Sequence, residues 1–75
     1  MTASLGVAVI GAGMAGKAHA AAYRAASTLY SPVLPEIRLV AIGDVYAPLG
    51  EETAKRFGFE RHVADWRDIA AADDI

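Results

Sequence analysis

Three glycines in the run Gly11-Ala12-Gly13-Met14-Ala15-Gly16 carry the clearest chemistry in this sequence. They directly follow an apolar run, Leu5-Gly6-Val7-Ala8-Val9-Ile10, and directly precede an alanine-rich stretch. A strand that ends in such glycines and turns at once into a helix leaves backbone N–H groups uncovered. Those donors, with the positive end of the helix dipole, favour a diphosphate. In that pattern Gly11 permits the tight turn, Gly13 lets the backbone approach the pyrophosphate, and Gly16 lets helix and strand pack closely. The amides near Met14 and Ala15 are the expected donors. Glycine-rich turns also occur for purely structural reasons, and it is the strand before and the helix after that favour dinucleotide binding.

Asp44 supplies the second half of the site. It ends a second apolar run, Arg38-Leu39-Val40-Ala41-Ile42-Gly43. An acid at that strand end can accept hydrogen bonds from the adenosine ribose hydroxyls, and it repels a 2′-phosphate. The position therefore favours NAD over NADP, the more so because Val45 and Tyr46 follow it rather than Arg or Lys. The interval from Gly16 to Asp44, 44 − 16 = 28 residues, exceeds the roughly 20 usual for this fingerprint. The loop around Ser31-Pro32 and Pro35 is expected to take up the excess. The competing reading of Asp44 is a solvated aspartate that starts a turn.

These residues need a scaffold of alternating strands and helices. Residues 5–10 are apolar on both faces, as in a parallel strand covered by helices on each side, and should be central. A helix is expected from Met14 to about Ala26, where alanines combine high helix propensity with close packing. A loop is expected over residues 27–35, whose prolines cannot continue it. The second strand is followed by a helix with Pro48 in its first turn, Glu51 and Glu52 near its positive end, Lys55 and Arg56 near its negative end, and Gly58 as its cap. Leu49, Ala54 and Phe57 should form its inner face. Arg61-His62-Val63-Ala64 reads as a weak third strand. Asp65 then caps a short helix from Trp66 to about Ala71, with Asp68 in its first turn. Asp73-Asp74-Ile75 resembles the start of a fourth strand.

The fold class is therefore α/β, a Rossmann-like doubly wound parallel sheet that is incomplete. Residues 1–75 are expected to be a partial dinucleotide-binding domain, truncated near the start of the fourth strand, with the substrate domain absent from this chain. In the order 3-2-1-4-5-6 the first strand is interior. Without its fourth-strand neighbour, the chain is expected to need additional chain or another copy alongside it.

Composition narrows the partners. With 55% apolar and 21% charged residues, the 75-residue chain describes a globular core. A formal charge of −2, with acids and bases interspersed, offers no field for nucleic acid or a membrane surface. The first 16 residues are not read as a secretory leader: no Lys or Arg precedes the apolar run, and glycines interrupt it. There is no cysteine, which removes thiolate chemistry and Cys-based metal sites and fits a reducing, cytoplasmic compartment. No metal site is expected, since the acids Asp65, Asp68, Asp73 and Asp74 lack metal-loop spacing and read as caps and surface. His19 reads as structural near the cofactor, His62 as a strand-surface residue, and Tyr23 and Trp66 as packing aromatics.

The ordered set Gly11-Ala12-Gly13-Met14-Ala15-Gly16-Lys17-Ala18-His19, Leu39-Val40-Ala41-Ile42-Gly43-Asp44, Ala54-Lys55-Arg56-Phe57-Gly58, Asp65-Trp66-Arg67 and Asp74-Ile75 resembles the amino-terminal half of a Gfo/Idh/MocA oxidoreductase domain. The resemblance spans nearly the whole chain. It implies a Rossmann domain followed by an α/β substrate domain, and hydride transfer between NAD(P) and a sugar or cyclitol carbon. By residue, Gly11, Gly13, Met14, Ala15 and Gly16 match the pyrophosphate turn, and Asp44 with Val45 matches the ribose end. The family's Glu-Lys-Pro segment and the later Asp and His of its substrate domain would lie beyond Ile75, so no catalytic residue is nominated here.

The leading expectation is the NAD-binding portion of a dehydrogenase acting on a sugar-like or polyol substrate, homo-oligomeric as the full-length protein and inert as this piece alone. Two alternatives stand beside it. An FAD-binding turn would also suit residues 9–16, although His19 and an Asp after the second strand argue against it. A nucleotide-sensing module would keep the cradle without turnover.

Overall fold

The computed structural model describes residues 4–30 and 33–75. Its elements run β1 (Ser4–Ile10), α1 (Met14–Leu29), β2 (Glu36–Gly43), α2 (Ala47–Phe57), β3 (Arg61–Val63) and α3 (Trp66–Ala70). The three strands are parallel in the order β1-β2-β3. This is the opening of a Rossmann-like sheet. β2 is its middle strand, and among the described residues β1 pairs on one side only.

Each face of the sheet has its own apolar layer. Val9, Leu39 and Ile42 pack with Ala20 of α1 and Ala54 of α2, joined by Tyr23, Leu49 and Phe57. The opposite layer joins Val40, Ala41 and Ile69 of α3, with Ala8 and Val63 beside them. Strict alternation along β2 would not place Leu39 and Ile42 on one face. A bulge does so: the partner of Val7 is Leu39 and the partner of Ala8 is Ala41, which leaves Val40 as the extra residue.

α1 runs three residues past the expected end. Ser27 lies inside the helix with its hydroxyl donating back to the Tyr23 carbonyl at 3.4 Å, and the Tyr30 amide closes the last turn on Ala26. The 28-residue interval to Asp44 is thus filled partly by helix rather than by loop alone. The expected break at Ser31-Pro32 lies outside the described residues. α2 begins at Ala47, with proline in its first turn and Gly58 capping it in the left-handed region, at φ 77°. Glu51 and Glu52 fall beyond that first turn, contrary to expectation, and Glu52 pairs instead with Arg56 one turn on. Arg24 of α1 donates through Nε and Nη2 to the carbonyls of Phe57 and Gly58, both at 2.8 Å, tying the two helices together.

β3 stops at Val63, one residue short of expectation. Asp65 caps α3 as expected, accepting from the Arg67 amide at 2.9 Å. Residues 73–75 form a turn and not the start of a strand. That turn lies across β1 on the α3 face, where a Cβ on Gly6 would overlap the Asp74 carbonyl oxygen. Arg61 holds it there through two bonds to the Asp74 carboxylate, at 2.8 and 2.9 Å. Glycine at position 6 is what permits this close crossing.

Candidate functional site: the first β-to-α corner and the tip of the second strand

The register sets Ile10, Gly43 and Val63 side by side at one end of the sheet. Residues 11–13, 44–46 and 64–65 therefore leave the sheet together. In open α/β sheets ligands bind at this carboxyl edge.

At the corner, Gly11 adopts φ 101°, a conformation open essentially to glycine alone. Its amide donates to the Gly43 carbonyl at 2.6 Å, so the turn is tied to β2. A Cβ on Gly16 would overlap the Gly11 carbonyl oxygen, which brings α1 down onto the turn. A Cβ on Gly13 would meet nothing within 4 Å and would project into open space, the volume an incoming group would use. Gly13 caps α1 with no side-chain acceptor for the first-turn amides. Met14, 86% exposed, and Ala15, also exposed, present those amides with no acceptor among the described residues.

Asp44 reaches this corner directly. Its Oδ2 accepts from the Ala12 amide at 2.9 Å and its Oδ1 from the Tyr46 amide at 2.8 Å. Those two amides, Ala12 first, hold its carboxyl below the ordinary aspartate range, so it is ionised near neutral pH. A carboxylate offers about four acceptor positions, and the two not used by amides face no described donor. Ala12, fully buried, is the site residue that sequence reasoning missed. Its amide serves Asp44 and not a ligand, and only the folded chain shows the pairing.

Between the corner and β3 lies a groove of about 210 Å³ lined by Ile10, Gly11, Gly43, Asp44, Val45, Ala64 and Trp66. Val45, 90% exposed, stands at its edge. Trp66 is 55% exposed and lines the groove, so it is not the packing aromatic the sequence suggested. Being first in a helix of five residues, it has no second turn to bury it. Tyr23 does pack on the core. His19 is exposed on α1. His62 is half-buried rather than on the strand surface, with Nε2 2.9 Å from the Asp44 carbonyl oxygen. Among the described residues no group of His, Asp and Glu could hold a metal, and no helix is long and apolar enough to cross a membrane.

Residues 5–75 match the Gfo/Idh/MocA family, described as an oxidoreductase family with an NAD-binding Rossmann fold. The chain belongs to this family. Within the Gfo/Idh/MocA proteins it is similar to levoglucosan dehydrogenase of Pseudarthrobacter phenanthrenivorans, with 40% identity over 74 residues, covering 96% of this chain and 18% of the relative. The solved structure of levoglucosan dehydrogenase in complex with NADH superposes with a TM-score of 0.90 at 38% identity, covering 97% of this chain and 20% of that one. Its complex with NADH and L-sorbose gives 0.89 at 39%, covering 100% and 20%. This Gfo/Idh/MocA chain thus spans about a fifth of the length of the relatives it matches. The family's cofactor is NAD, which sets aside the flavin alternative.

Proposed function

We propose that these residues form the NAD-binding opening of an oxidoreductase that moves a hydride between nicotinamide and a carbon of a sugar-like or polyol substrate. The observation that carries this reading is the Ala12 to Asp44 bond. It sets an ionised carboxylate against a glycine turn whose next amides, at Met14 and Ala15, have no acceptor among the described residues. Gly11, Gly13, Met14, Ala15 and Gly16 hold the diphosphate. Asp44 accepts from the adenosine ribose hydroxyls, with Val45 beside it. The apolar groove continuing from Asp44 to Trp66 suits a flat base. The bound nicotinamide supplies hydride acceptance, while this chain binds and orients it. NAD is preferred over NADP because a 2′-phosphate would meet the Asp44 carboxylate.

The substrate class rests on the levoglucosan dehydrogenases. Residues 1–75 are, in this reading, part of a dinucleotide-binding domain. The free flank of β1 is paired by later chain, and the catalytic residues and substrate domain come from outside this segment. The complete protein is a cytoplasmic homo-oligomer. Calorimetric titration of the complete protein with NAD and NADP, then a screen of sugars and polyols for nicotinamide reduction, tests the proposal. NAD binding tighter than NADP, weakened by Gly13→Val and by Asp44→Ala, is expected. Equal affinities untouched by either substitution would refute it.

A further inference from the structure

We propose that His62 is a positioning residue for the ribose-binding carboxylate of Asp44, acting through the Asp44 main-chain carbonyl. This rests on the reading of Asp44 given under Proposed function. The carbonyl can only accept, so the 2.9 Å contact assigns the proton to Nε2 of the imidazole. Asp44 is the point at which β2 loses its neighbour. Its amide still donates to the Val63 carbonyl at 3.0 Å, but the chain then bends through Val45 and Tyr46 into α2. The peptide joining Asp44 to Val45 therefore has no strand partner, and the imidazole supplies one.

A third residue is adapted to this contact. Gly50 lies buried in α2, where glycine is the poorest choice short of proline. A Cβ there would overlap Cδ2 and Nε2 of the His62 ring. The missing side chain is the space the imidazole occupies, so Gly50, His62 and Asp44 form one unit spanning α2, β3 and the tip of β2. All four polar atoms of Asp44 are bonded: N to Val63, Oδ2 to Ala12, Oδ1 to Tyr46, and O to His62. His62 is the one partner among them that bonds through a side chain. Removing it frees the Asp44–Val45 peptide, which moves the carboxylate.

The test is the dissociation constant for NAD, measured by calorimetric titration of the complete protein in five forms: unmodified, Asp44→Ala, His62→Leu, His62→Gln and the Asp44→Ala/His62→Leu double variant. His62→Leu is expected to weaken NAD binding about tenfold. His62→Gln, whose amide places a donor close to the Nε2 position, should restore most of it. The double variant should bind no worse than Asp44→Ala, because His62 acts only through Asp44. A purely structural histidine would give effects that multiply and no rescue by glutamine, and either result overturns the proposal. Should His62→Leu not fold, His62→Asn, too short to reach the carbonyl, takes its place under the same criteria. Unchanged binding by Asp44→Ala would sink the ribose assignment itself. Weakened binding by Asp44→Ala with none by the His62 variants would sink the positioning role alone.

Discussion

Gly16→Ala sets two physical effects against each other. Helix propensity alone predicts a gain, since alanine is about 1 kcal/mol better than glycine inside a helix. Packing predicts a loss. The new Cβ would overlap the Gly11 carbonyl oxygen and lie 2.8 Å from the Gly11 carbonyl carbon, with Val9 Cγ1 at 3.5 Å. The first two are main-chain atoms of a turn tied to β2, so no flexible side-chain tip can give way. Overpacking of this kind costs about 1–3 kcal/mol, the upper part of which exceeds the propensity gain. With a main-chain overlap placing the cost in that upper part, a net loss of up to about 2 kcal/mol remains after the offset. In a domain of roughly 150–250 residues each kcal/mol corresponds to about 2–4 °C. Thermal unfolding of the complete protein, followed by circular dichroism with and without NAD, should show a lower Tm. It should also show a smaller shift on adding NAD, because the displaced turn carries the Met14 and Ala15 amides with it. A raised Tm with an undiminished NAD shift would refute the close-packing argument.

Three further outcomes follow from the same structure. Thr53 is fully buried in α2, and its hydroxyl has no partner among the described residues. Thr53→Val should therefore leave stability to denaturant unchanged or raise it by up to about 1 kcal/mol, whereas a clear loss would reveal a partner for that oxygen. Arg24→Ala removes two donors from the carboxyl end of α2 and should lower the denaturation midpoint. Arg24→Lys should recover only part of it, since one ammonium cannot reproduce the forked contact. The carboxyl of Asp44 is held low, chiefly by the Ala12 amide. Its contribution to stability is therefore present above the unfolded-state value and is lost as pH falls through the lower folded-state value. NAD affinity should be level from neutrality to about pH 5, and a decline already between pH 7 and 6 would show that a different group controls binding.

What could be read from the sequence was whatever depends on neighbours along the chain. The strand before Gly11, the helix after Gly13, the Asp65 cap and the Gly58 stop are each set by residues a few positions apart. Helix ends were less legible. Prolines near residue 32 suggested a stop before Ser27, but the hydroxyl of Ser27 bonds within the helix and α1 continues to Leu29. Contacts between distant segments left no local mark. The Ala12 amide meets Asp44 across 32 positions, and the bulge at Val40 shows itself only in the pairing register. Nothing next to Gly6 in its strand or Gly50 in its helix marks either position. Each is the vacancy that a remote group fills, the Asp74 carbonyl in one case and the His62 ring in the other.

A crystal structure of the complete protein with NAD bound addresses the cofactor site most directly. The diphosphate oxygens should lie within hydrogen-bonding distance of the Met14 and Ala15 amides, over the open face of Gly13, with the adenosine ribose hydroxyls on the Asp44 carboxylate. A diphosphate bound away from that corner, or a ribose turned from Asp44 while the carboxylate keeps its bonds to Ala12 and Tyr46, would contradict the account.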